Sequence, residues 1–286
     1  MNPPDARDEQ FSHGHVTEIC ASGNTLRSEL RELWAYRDLL VLLVQRDVSI
    51  RYKQSAVGIG WAILQPLLTT LIFTVVFGNF AKLPSDGYPY ALFTMCALVP
   101  WTFFTRALTG ASGSIVGASG MVTKVYFPRL VLPISKTVSG LVDFVVAFLL
   151  LVVLLVVYRV SPNLTGLLLL PLFLLLALAT ALGIGLWLTA LNVKYRDVGL
   201  LVPFLTQIWM YVSPIAYSSQ IVPQKYLWLY SLNPIYGVVE GFRWALLGKA
   251  PPATGPLLLS CGVVILMLVS GLWHFRRTER QFADDI

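Results

Sequence analysis

Apolar residues in this chain come in long blocks, without the alternation of half-buried strands or the one-sided stripe of surface helices. Charge-free stretches cover 54–81, 87–105, 144–158, 160–193, 198–224 and 250–275. A membrane-crossing helix needs roughly 20 predominantly apolar residues. The pattern predicts an all-α integral membrane protein with six transmembrane helices, near 57–80, 90–110, 137–158, 167–191, 198–217 and 255–275. The third span carries Asp143 within it. The longest stretch opens on Ser161-Pro162-Asn163-Leu164-Thr165-Gly166, which is turn chemistry, so it holds one span.

Two further apolar segments are too short to cross. In 29–54, Tyr36, Leu39, Leu40 and Leu43 share a helical face, with Arg31, Asp38 and Gln45 opposite. Trp34 and Tyr36 suit a membrane boundary, so this segment is expected to be an amphipathic interfacial helix. In 218–247 the apolar residues are interrupted by Pro223 and Asn233-Pro234. Two short helices, tied by the turn at Asn233-Pro234 and dipping back into the membrane from outside, fit that pattern. Arg243 is expected to be held by Glu240 or by carbonyls. Such re-entrant segments persist only where protein or a water-filled cavity covers their backbone.

Composition narrows the function classes. The chain has 286 residues, of which 56% are hydrophobic and 13% charged. That excludes a soluble enzyme, a disordered chain and a nucleic-acid reader, despite a net charge of +6. Cys20, Cys96 and Cys261 are scattered and form no disulfide framework or metal cluster. Fifteen Lys and Arg residues fall on the side of the termini and 5 on the other. The positive-inside bias therefore puts both termini in the cytoplasm. Residues 1–28, with His13 and His15, read as a polar cytoplasmic tail without a signal-peptide core. Residues 276–286 read as a second cytoplasmic tail.

The catalytic inventory is empty. No phosphate-binding loop occurs, because Gly248-Lys249 is followed by Ala250. No enzyme activity, metal or cofactor is expected in this chain. Asp143 is one ionisable group inside a span, and a structural partner such as Arg106 is the expected fate. Aromatics are plentiful. Phe73, Phe77 and Phe80, with Thr69 and Thr70, lie along the first span. Phe204, Ile208 and Tyr211 lie along the fifth, with Trp209 and Tyr217 nearby. They fit core or lipid-facing packing, or a surface over which sugar rings slide.

Several segments together resemble the permease subunits of type-2 ATP-binding-cassette polysaccharide exporters, which handle O-antigen, capsule and teichoic acid chains. The first is Gln45 to Ser55 (QRDVSIRYKQS), followed by Gly58, Gly60, Trp61 and Pro66. The second is Phe127-Pro128-Arg129-Leu130 with Pro133. The third is Tyr195-Arg196-Asp197-Val198, and the fourth is Asn233-Pro234 with Arg243-Trp244. The likeness runs from about residue 33 to 275. It implies a homodimer bound to two copies of a separate ATPase subunit, which would bind ATP and Mg. The substrate would be a lipid-linked polysaccharide in the inner membrane of a bacterium. Thr69, Thr70, Phe73, Phe77, Phe80, Phe204, Tyr211 and Tyr217 become the expected substrate path. Tyr226, Trp228, Asn233, Pro234, Glu240 and Arg243 become the expected outer gate. Lys124, Tyr126, Phe127, Pro128 and Arg129, within a cytoplasmic connection at 118–136, become the expected ATPase-coupling element, with Lys194, Arg196 and Asp197. A proton-coupled flippase for lipid-linked sugars would want more spans and more buried carboxylates. A membrane-embedded transferase would want a cluster of acids or histidines.

Overall fold

In the computed structural model, the described residues are 26–53, 59–249, 251–279 and 282. Residues 1–25 of the expected N-terminal tail, with His13, His15 and Cys20, lie outside them, as do Gln54, Ser55, Gly58 and most of the expected C-terminal tail beyond residue 279. The described residues contain helices and no strands. Five helices are long and apolar enough to cross a membrane.

Residues expected to form one interfacial helix form two, α1 (Leu26–Ala35) and α2 (Arg37–Lys53), meeting at Tyr36. The predicted face is the buried one: Leu43 is fully covered, and Tyr36, Leu39 and Leu40 pack beside it. The cover is the chain's own helix α6 (Val131–Val157) and the connection before it. Val41 and Leu42 remain exposed on the other side.

The first span is α3 (Ile59–Phe73), continued by a π-helical stretch, Thr74–Phe80. Its wider turn shifts the phase of the aromatic stripe. Phe73 is buried, Phe77 half-buried and Phe80 exposed. Helix α4 (Tyr90–Ser112) is the most enclosed of the five long helices and forms the centre of the bundle. A single turn, α5 (Ser119–Val122), follows it. Then comes α6, which begins six residues before the expected start at 137. Lys136, the residue just before that expected start, lies within the helix and is paired with Asp47 on α2 at 2.9 Å.

Helix α7 (Leu164–Lys194) is capped by Asn163, whose side chain accepts from the Thr165 amide. It packs along α11 (Thr254–Glu279) through glycines. A Cβ on Gly271 would lie 2.2 Å from the Gly183 carbonyl oxygen. The next helix, α8 (Val198–Val212), stops short of the expected 217. Pro214 accounts for this, since it forces Ser213 into an extended conformation (φ −93, ψ 153). Two short helices follow, α9 (Gln224–Tyr230) and α10 (Tyr236–Leu247), joined by the Asn233-Pro234 turn. While α9 is largely exposed, α10 is enclosed by α4, α7 and α11.

The helix directions give the bundle two ends. A basic end gathers α2, the 113–130 connection, residues 195–197 and the C-terminal end of α11 around a core of Leu43, Phe127, Leu186 and Phe275. The opposite end gathers the 81–89 loop, residues 213–235 and the α10–α11 connection.

Candidate translocation path, outer clamp and coupling surface

Helices α3 and α8 both pack on α4. Each shows α4 a narrow face and leaves most of its apolar surface open. On α8 the covered residues are Val202 and Thr206, whereas Phe204, Ile208 and Tyr211 are exposed. On α3 and its π-helical continuation, Thr70 donates to the Met95 thioether at 3.1 Å, and Phe73 sits in the main core, 5.1 Å from the Phe77 ring. Thr69 donates to the Gln65 carbonyl at 2.9 Å. The eight expected path residues therefore divide. Thr70 and Phe73 are internal packing. Phe80, Phe204 and Tyr211 stand open, with Phe80 81% exposed. Tyr217 is half-buried, its hydroxyl 3.3 Å from the Tyr211 and Val212 carbonyls and accepting from Tyr230 at 2.9 Å.

Helix α8 has 15 residues, or about 22 Å of rise, short of a hydrocarbon core of about 30 Å. Residues 213–218 continue from it without regular structure, and most of them are buried. Side chains from elsewhere satisfy their backbone and hydroxyls. Tyr90 donates to the Ala216 carbonyl. Arg243 donates to the Ile215 carbonyl at 3.0 Å and the Tyr217 carbonyl at 3.2 Å. Asn233 donates to the Ser213 hydroxyl at 2.9 Å and accepts from the Trp209 indole at 3.0 Å. Ser218 donates to Asp86 at 2.8 Å, and the same carboxylate holds Lys249.

Among the described residues, Arg243 is the largest fully buried side chain. Glu240 faces it at 3.3 Å, the i, i+3 partner the sequence suggested. Its guanidinium lies 3.7 Å from the Phe93 ring centroid, and Lys249 stands 4.8 Å from the same ring. The charge is thus spread over a carboxylate, two carbonyls and an aromatic face. Tyr226 and Trp228 are open on α9, whereas Pro234 is buried and its carbonyl accepts from Ser260 at 3.2 Å.

At the basic end, the expected coupling residues also divide. Phe127 is buried in the second core, so it is not a free anchor. Arg129 is tied inward: its amide donates to the Glu279 carboxylate at 3.2 Å and its guanidinium to the Glu279 carbonyl, 6.0 Å from the Phe282 ring. Lys124 and Tyr126 project, with Tyr126 65% exposed, and Pro128 is half-buried. A cavity of about 530 Å³ opens between Glu32, Lys124, Phe127, Arg129 and Glu279. Lys194, Arg196 and Asp197 are exposed at the turn between α7 and α8.

Asp143 is buried between Arg51 on α2 and Arg106 on α4, the latter at 3.0 Å, and it accepts from the Tyr52 hydroxyl. Burial, and then that hydrogen bond, push the Tyr52 phenol up to about 12. The Arg106 partnership follows the sequence expectation. The residues that sequence reasoning missed are Asp86, Ser218 and Lys249, and the Asp47–Lys136 pair. Asp86-Gly87 reads as a turn, and nothing in the spacing links it to residues 132 and 163 positions away.

Among the described residues, no group of three or more His, Cys, Asp or Glu could hold a metal ion. The ABC-2 type transporter family profile matches residues 38–247. The chain belongs to that family. It is 31% identical over 261 residues to the O-antigen export system permease protein RfbA of Myxococcus xanthus, covering 90% of this chain and 98% of that protein. It is 27% identical over 248 residues to an O-antigen export system permease protein RfbA of Klebsiella pneumoniae, covering 86% and 94%. It is 24% identical over 206 residues to the polysialic acid transport protein KpsM of Escherichia coli, covering 72% and 80%. The match takes in α2 to α10, so residues 213–218, the side chains that hold them and the basic 113–130 connection all lie within or against the matched region.

Proposed function

We propose that this chain is the permease subunit of an ATP-driven exporter, moving a lipid-linked polysaccharide across the inner membrane of a bacterium. Two copies would enclose the channel, and two copies of a separate ATPase would drive it with ATP and Mg. The reading rests above all on similarity along nearly the whole length of a protein named for O-antigen export. Six crossings are proposed, with α8 and residues 213–218 together making the fifth and α9–α10 dipping back as the outer gate. Phe80, Phe204 and Tyr211 would line the path, with Thr69, Phe77 and Tyr217 at its margin. Opposing apolar walls of this kind give sugar faces many weak contacts and no deep well. Asp143 is neutralised by two arginines, which speaks against a proton relay and for an external energy source. Coexpression with the cognate ATPase should give a complex that exports polysaccharide from cells lacking the native permease. Failure of the ATPase to copurify, with no loss of export on deleting it, would end this reading.

The basic end is proposed as cytoplasmic, as are both termini. In a variant without native cysteines, Gln220→Cys should react with a membrane-impermeant maleimide on intact cells. Gly120→Cys should react only after permeabilisation, and the reverse pattern would invert the topology. For coupling, the projecting side chains are the ones to test. The double variant Lys124→Ala/Tyr126→Ala should weaken ATPase affinity about tenfold or more, as loss of an interface anchor does, with the melting temperature unchanged. An unchanged affinity would move the coupling surface to Lys194, Arg196 and Asp197.

A further inference from the structure

The junction of α2, α3, α4 and α6 carries more positive charge than its carboxylates balance. Asp143 is shared by Arg51 and Arg106, and Asp47 is shared by Lys136 at 2.9 Å and Arg46 at 3.4 Å. Each carboxylate thus answers two cations, which leaves the junction two positive charges in excess. Arg51 and Arg106 engage Asp143 through one terminal nitrogen each. The other terminal nitrogen of Arg106 reaches Gln65 on α3. Among the described residues, the remaining N–H groups of Arg51 have no partner. The Arg51 and Arg106 side chains are 38% and 29% exposed, so the site is half-walled and open beside the exposed face of α3.

Unbalanced guanidiniums at partial burial favour an anion, because their charge is only partly solvated. Arginine forks match tetrahedral oxyanions, and phosphate takes two donors from one guanidinium. Depth selects the source of that phosphate. Arg106 lies six residues from the end of α4, or about 9 Å, in the last turns of a helix long and apolar enough to cross a membrane. The anions most concentrated there are the phosphates of membrane lipids. The Tyr52 hydroxyl and both guanidiniums converge on the buried Asp143 carboxylate, while the two arginine side chains stay partly exposed.

We propose that this junction is a seat for the phosphate or diphosphate group of a lipid, with Arg51 and Arg106 as its binding residues and Asp143 and Tyr52 as positioning residues. Two sources share that chemistry: the diphosphate of a substrate's lipid carrier, which rests on the exporter reading above, and the phosphodiester of bulk anionic lipid.

The test uses the purified full chain. Farnesyl diphosphate, a short isoprenoid diphosphate, is titrated in micelles. Phosphatidylglycerol is presented separately in phosphatidylcholine nanodiscs, and bound lipid is counted by native mass spectrometry. Arg106→Gln is the informative variant, because Arg51 still pairs with Asp143 and the fold is kept. It should weaken binding about tenfold, the effect of losing one charged hydrogen-bonding partner. Asp143→Asn, which frees both guanidiniums, should tighten binding, an outcome that a purely structural network does not produce. Loss confined to farnesyl diphosphate assigns the seat to the carrier, and loss confined to phosphatidylglycerol assigns it to bulk lipid. Equal binding by wild type and Arg106→Gln, or loss in both variants together with a lowered melting temperature, overturns the proposal. The assay contains neither ATPase nor polysaccharide, so it can fail while export stands and can succeed in a chain that exports nothing.

Discussion

Replacing Arg243 by methionine is expected to destabilise the detergent-solubilised chain by about 3–5 kcal/mol, the range for removing one partner of a buried ion pair. The guanidinium is 0% exposed, and four groups depend on it: the Glu240 carboxylate, the Ile215 and Tyr217 carbonyls and the Phe93 ring. Methionine has similar length but no donors, so Glu240, half-buried at 14% side-chain exposure, loses its counter-charge. The two carbonyls lose their partner inside the protein, which costs about 1–3 kcal/mol for each group left unsatisfied. The double variant Arg243→Met/Glu240→Gln should recover part of the loss, because no charge is then stranded. Thermal unfolding followed by size-exclusion profiles reads both. A melting temperature unchanged in the single variant would mean that residues 213–218 are held by something other than this side chain.

The second large effect is expected at the α7–α11 contact. Gly271→Ala places a methyl carbon 2.2 Å from the Gly183 carbonyl oxygen, and a Cβ on Gly183 would itself lie 2.7 Å from the Leu268 amide nitrogen. Both obstacles are backbone, so no rotamer change relieves them and the helices must separate. Alanine adds about 1 kcal/mol of helix propensity over glycine, but overpacking of a tight contact costs about 1–3 kcal/mol or more. Separation also removes contacts along the rest of the interface, including the Trp187 indole to Ser270 hydrogen bond at 3.1 Å and the Trp187–His274 ring stack at 4.0 Å. Gly262→Ala, on the same helix with nothing within 4 Å of its Cβ, is the matched control and should be neutral or slightly stabilising. Folded yield and melting temperature compared across the pair make the measurement. Equal behaviour would show that α7 and α11 do not pack this closely.

Five long apolar helices and their rough extents were legible from charge-free stretches, because a segment that cannot hydrate charge must exclude it over about 20 residues, whereas the sixth expected span, 198–217, holds a helix of only 15 residues. The same logic misplaced the start of the third span, where a charge is paired. Lys136 looked like the edge of a span and lies within α6, since Asp47 neutralises it. Local backbone chemistry was legible where proline acts. Residues 218–247 form two short helices as expected, with Pro223 just before the first and Asn233-Pro234 between them, whereas the effect of Pro214 in ending α8 was not read from the sequence. The face of α2 was correct, but its cover was not: residues that fit a membrane surface pack on α6 and the connection preceding it.

Sequence alone therefore determined the class of molecule, the order of its helices and the charged i, i+3 pair of Glu240 and Arg243, because each follows from residues near one another in the chain. Tertiary structure alone decided which aromatics stand open. The π-helical stretch after Phe73 changes the angular phase, and α4 claims one side of both α3 and α8. It also turned Phe127 and Arg129 inward while leaving Lys124 and Tyr126 outside. It joined Asp86 to Lys249, and Asp143 to Arg51 and Arg106. Periodicity within a helix says which residues share a face. Only the packing of helices distant in sequence says what that face meets, and it is at those meetings that buried charges find partners, irregular backbone is satisfied and a surface is left for another molecule.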